Sequence, residues 1–140
     1  MKTSKILLGG LAGTITILLL SYLTYVILLK DYLAANMNQS FLRPEDSQPI
    51  WAMLLSYLSI GYLMAIIFSW TNTKGILDGA KVGGFIGLMM AIYCDTTWHF
   101  LSTIYLNTGA VLVDIVIGTI LSVIGGGVIG LVMGMRRNEG

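Results

Sequence analysis

The chain has 140 residues, 56% of them hydrophobic and only 11% charged, and a mean hydropathy of +0.82. A water-soluble globule does not have that composition, so lipid is the expected solvent and the first expected partner. A net charge of +1 with no Lys/Arg-rich block provides no phosphate-tracking surface, and nucleic acid is not an expected partner.

Four stretches reach the roughly 20 apolar residues that a bilayer crossing needs: residues 6–29, 50–70, 82–106 and 110–135. They predict an all-α fold, an integral membrane four-helix bundle forming one transmembrane domain over residues 1–140. The first stretch follows Lys2 and Lys5 in the manner of a signal peptide. Its apolar run exceeds the about 7–15 residues of a secretory core, so it is read as an uncleaved span.

Residues 30–49, "KDYLAANMNQSFLRPEDSQP", make the one long connection, in which Pro44 and Pro49 oppose a continuous helix. A solvated connector and a lid or partner-binding loop both fit it. Trp51 and Trp70 suit the two interfacial belts of the second span, and Trp98 and Tyr105 suit the outer belt. "TNTKG", residues 71–75, reads as a tight turn with Gly75 as helix terminator. Lys2, Lys5, Lys74, Lys81, Arg136 and Arg137 fall on one side of this arrangement and only Lys30 and Arg43 on the other. By the positive-inside rule both termini are cytoplasmic, with a bacterial inner membrane as the expected location.

At an offset of 70, "ILLGGLAGT" aligns with "ILDGAKVGG", matching Gly9 and Gly13 to Gly79 and Gly83 and hinting at a two-plus-two repeat. In the third span Gly79, Gly83, Gly87, Ala91, Asp95 and His99 recur at every fourth residue. In the fourth, Ala110, Asp114, Gly118, Ser122, Gly126, Gly130 and Gly134 do the same. Because lipid offers no hydrophobic drive between helices, such small-residue rows predict close packing of the third span on the fourth.

Counted from a turn around Asn107 at about 1.5 Å per residue, His99 and Asp114 are level near 10 and 8 Å depth, with Asp95 deeper at about 16 Å. A His99–Asp114 hydrogen bond is expected, within a polar layer completed by Ser21, Tyr22, Tyr25, Ser56, Tyr57 and Ser59. An ionised carboxylate facing lipid is costly, so these acids are expected inside the bundle, neutral or paired. Asp95, His99 and Asp114 then suit a proton- or ion-binding relay, or equally a structural clasp between two helices. As a metal set they are poor, lacking a His/Cys cluster. Cys94 sits about 140° around the helix from His99 and reads as an apolar filler rather than a nucleophile. No P-loop, Rossmann, haem-attachment or metalloprotease motif occurs, so no catalytic residue is named and the cofactor stays unknown.

"GYLMAIIFSW" followed by "GILDGAKVGGFIGLMMA" resembles the second helix, tight turn and glycine-rich third helix of small, functionally uncharacterised four-helix bacterial membrane proteins. That resemblance implies the fold and no activity. The leading expectation is a small proton or cation transport protein acting through an Asp/His relay. It would act as a homo-oligomer or with a partner membrane protein, since four helices leave little room for a pore. A non-catalytic accessory subunit and a membrane cofactor-binding protein or enzyme are the alternatives.

Overall fold

The computed structural model describes residues 3–135, so Lys2, Arg136 and Arg137 of the charge pattern lie outside the described residues. Helix α1, Thr3–Ser21, continues into a π-helical stretch, Tyr22–Leu28. The short α2, Lys30–Asn36, opens the long connection. Helices α3, Ile50–Trp70, α4, Ile76–Leu101, and α5, Thr108–Gly134, follow.

Thr3–Leu28, α3, α4 and α5 are each long and apolar enough to cross a membrane. The 26 residues of α4 alone measure about 39 Å. Large apolar side chains such as Leu8, Trp51, Phe85 and Leu112 lie exposed around the bundle. That is an unfavourable surface in water and an appropriate one in hydrocarbon, where each backbone polar group is satisfied within its own helix. The chain is therefore a candidate small integral membrane protein of all-α fold.

The third long helix starts at Ile76, ahead of residue 82, and stops at Leu101, short of residue 106. Ser102 is where it stops: its backbone is extended at φ −147°, and its amide and hydroxyl both donate to Trp98 O, at 3.0 and 2.7 Å.

α4 and α5 share the most extensive helix contact. Their backbones touch: a Cβ on Gly83 would lie 2.7 Å from Gly126 Cα, and one on Gly130 2.9 Å from Gly79 Cα. Gly87 faces the Ser122 side chain, and a Cβ on Gly118 would meet that of Ala91 at 3.4 Å. α1 packs on both α3 and α5. A Cβ on Gly61 would come 2.7 Å from Gly10 O, so α1 and α3 also meet backbone to backbone, whereas Gly9 and Gly13 receive the Met133 and Ile129 side chains of α5. Met64, Ala65, Phe68, Ile129 and Met133, all 0% exposed, fill the half of the bundle toward the tight turn. That turn needs a glycine, because Gly75 sits at φ 90° and its N–H donates to Gly130 O at 2.8 Å, pinning the turn to α5.

A methyl group should therefore be costly at one glycine and harmless at its neighbour. Gly126→Ala drives a Cβ into Gly79 O and Gly83 Cα, whereas at Gly127 the nearest atom is Ile76 O at 3.5 Å. The expected loss is about 1–3 kcal/mol for Gly126→Ala and none for Gly127→Ala. Thermal unfolding in detergent, followed by helical circular dichroism, measures the difference.

Candidate functional site

The connector between α4 and α5, residues 102–107, forms the site by pairing with the long loop. Tyr105 bridges antiparallel to Met37. Asn38 N–H donates to Ile104 O at 2.8 Å and Leu106 N–H to Asn36 O at 3.0 Å. Asn107 has two tasks: its Nδ2 donates to Asn36 Oδ1 at 2.9 Å, and its Oδ1 accepts the Ala110 N–H at 2.9 Å, capping α5. Clamped in this way, Tyr105 is 8% exposed, packed with Ala110, Val111 and Met37 and turned inward.

Its hydroxyl lies between two carboxylates. Tyr105 Oη donates to Asp114 Oδ2 at 2.5 Å and lies 3.2 Å from Asp95 Oδ1. Tyr25, carried by the π-helical stretch, donates to Asp114 Oδ1 at 2.5 Å. Both oxygens of Asp114 are thus occupied by tyrosine hydroxyls, while among the described residues Asp95 Oδ2 has no partner. Asp95 and Asp114 each stand about 9 Å along their helices from the loop end, so these two are level. The count that put Asp95 deeper and His99 beside Asp114 assumed that the helix ran on to the turn at Asn107.

His99 is exposed and makes no hydrogen bond to Asp114; it sets its ring edge-on to Tyr105, with centroids 6.3 Å apart and planes at 70°. Of the other polar residues singled out, Ser21 and Tyr25 face the interior of the bundle. Tyr22 is 58% exposed, and Ser56 and Ser59 are exposed with their hydroxyls folded back on Met53 O and Leu55 O. Tyr57 is half-buried against the apolar core, its carbonyl accepting the Thr14 hydroxyl at 3.3 Å.

Two cavities meet at this layer. One of about 260 Å³ extends into the bundle between Ile17, Ser21, Tyr25, Met90, Asp95, Asp114 and Leu121. The other, about 400 Å³, lies under the loop among Tyr25, Lys30, Met37, Glu45 and Asp114. Tyr25 and Asp114 line both, whereas Asp95 lines the first and not the second.

A phenol has one proton to donate, so Tyr105 can serve only one carboxylate at a time. With that proton on Asp114, the contact to Asp95 is a hydrogen bond when Asp95 itself carries a proton and donates it to Tyr105 Oη. The complete network therefore holds one exchangeable proton between two acids. Tyr105 was read from sequence as an interfacial belt residue; only the break at Ser102 and the bridge to Met37 turn it inward.

No protein-family model, curated protein or solved structure matches this chain, so the likeness of its second and third spans to small bacterial membrane proteins assigns it to no family.

Burial, then the hydrogen bond to Asp114, raises the Tyr105 hydroxyl above the usual tyrosine range. A pKa raised by folding favours the protonated form, so the stability it contributes is fully present below about pH 10 and is lost as the pH rises further. The alkaline absorbance step of tyrosinate should therefore have the same amplitude in Tyr105→Phe as in the wild type until unfolding begins. A separate test concerns the clamp: Asn107→Ala removes a cap and a loop contact, and the Leu106 amide should then exchange about tenfold faster by hydrogen–deuterium exchange.

Proposed function

We propose that this small membrane protein accepts a proton at its loop end and passes it between Asp95 and Asp114 through the Tyr105 hydroxyl. One observation carries the reading: a single hydroxyl within hydrogen-bond reach of two carboxyls, only one of which lines the loop-side cavity.

The transfer balances without an ionised tyrosine. Protonated Asp95 gives its proton to Tyr105 Oη as Tyr105 gives its own to Asp114 Oδ2. One O–H bond breaks and one forms at each step, and the hydroxyl ends neutral. Tyr105 thereby takes the place that the sequence reading gave to His99. Asp114 faces the loop-side cavity, rimmed by Lys30 and Glu45, where water can take up or deliver the proton. With the positive-inside orientation, that cavity opens to the outside of the cell. The apolar core around Phe68 and Met133 closes the other half, so transfer across the whole membrane requires a second copy of the chain or a partner membrane protein.

Proteoliposomes carrying a pH-sensitive dye test this reading. Tyr105→Phe and Asp95→Asn should each lower proton flux about tenfold or more, whereas His99→Gln should stay within about twofold of wild type. The same hydrogen bonds also tie the first span, the connector and α5 together, which favours a structural clasp as the second reading. In that case wild type and Tyr105→Phe both stay at the background of empty liposomes, and Tyr105→Phe lowers only the unfolding temperature.

A further inference from the structure

Ser21 is 6% exposed, lines the inner cavity and makes no hydrogen bond among the described residues. Elsewhere in the spans Thr14, Thr16, Ser59, Thr96 and Thr119 fold their hydroxyls back on the carbonyl four residues earlier. Among the described residues no buried side-chain oxygen or nitrogen lacks a partner, so the Ser21 hydroxyl is open to the cavity and free to bond a ligand or water there. Asp95 lines the same cavity, and its Oδ2 is also without a partner among the described residues.

We infer that the inner cavity is a binding site for a small alkylammonium cation, whose N–H groups donate to Asp95 Oδ2 and Ser21 Oγ. Ser122 on the same wall also makes no side-chain hydrogen bond among the described residues, so the cavity offers two hydroxyls and one carboxyl oxygen as acceptors, and the acid selects a positively charged donor. The remaining wall, built from Ile17, Ile60, Met90 and Leu121, suits a short hydrocarbon chain. A volume of about 260 Å³ corresponds to roughly nine water-sized groups, enough for an amine of a few carbons. A bare inorganic cation, which takes about six or more oxygen ligands, finds too few here.

This site rests on the proton-passing reading, because the amine replaces the proton of Asp95. The exchange conserves charge: R–NH₃⁺ enters beside the Asp95 carboxyl, and one proton leaves through Tyr105 to Asp114 and the loop-side cavity. The groups that set its pH dependence are Tyr105 and Asp114, which contact Asp95 directly or across the shared hydroxyl, Tyr25 of the first span and Cys94 of its own helix. Tyr57 of α3 is a further phenol on a neighbouring helix, and His99 stands edge-on to Tyr105.

Calorimetry of the full chain in lipid nanodiscs tests the inference, titrating n-butylammonium chloride in two buffers of different ionisation enthalpy. The expected result is saturable binding with about one proton released per amine, abolished in Asp95→Asn and weakened several-fold in Ser21→Ala. n-Butanol, equal in length and uncharged, should not bind. Equal binding of butanol, amine binding unchanged in both variants, or saturable binding of potassium chloride with a silent amine would each overturn it. Ser21→Ala and the butanol control keep the inference testable where Asp95→Asn does not fold. Failure of the amine site alone leaves proton flux dependent on Tyr105 with no saturable heat, whereas failure of the proton-passing reading appears as wild-type flux in Tyr105→Phe.

Discussion

The backbone contact between α4 and α5 is the constraint on which the site depends. Gly79 and Gly83 meet Gly126 and Gly130 with no side chain between them. Dispersion along such a seam replaces the hydrophobic drive that lipid cannot supply. Because the helices touch, Asp95 and Asp114 face each other across a gap that one phenol oxygen spans, at 2.5 and 3.2 Å. Side chains in the seam would push the helices apart and leave Tyr105 able to reach one carboxyl or the other.

An acid in the hydrocarbon layer costs about 2.5–3.5 kcal/mol on insertion scales, and the fold offsets this with donors brought from three directions. Tyr25 comes from the π-helical stretch, Tyr105 from the connector, and the connector is held in turn by Asn36 and Asn38 of the long loop. The loop is therefore part of the site: its backbone fixes the residue that joins the two acids.

The helices were legible in the sequence because span length and glycine spacing are local signals with strong physical causes. Asp95 and Asp114 also stood out, since carboxylates in apolar runs are rare enough to notice. Their partner did not. α4 ends at Ser102 without proline or glycine, and nothing nearby in sequence announces it. Once the helix was assumed to continue, Tyr105 fell on a lipid-facing belt and His99 took the depth that belongs to Asp95. The bridge from Met37 to Tyr105 joins residues far apart in sequence, and such a pairing has no periodic signature.

Two kinds of helix contact divide the bundle into the two halves of the chain. α1 with α3, through Gly10 and Gly61, and α4 with α5, through their glycines, meet backbone to backbone. Between the pairs, α1 meets α5 through the side chains of Ile17, Ile129 and Met133, and α3 meets α4 and α5 only sparsely. The two pairs therefore join chiefly along α1 and α5, where side chains seat on glycine backbone. The inner cavity lies at that boundary, with Ser21 and Tyr25 on one pair and Asp95 and Asp114 on the other. A ligand seated there would touch both pairs at once, because residues of all four long helices line it.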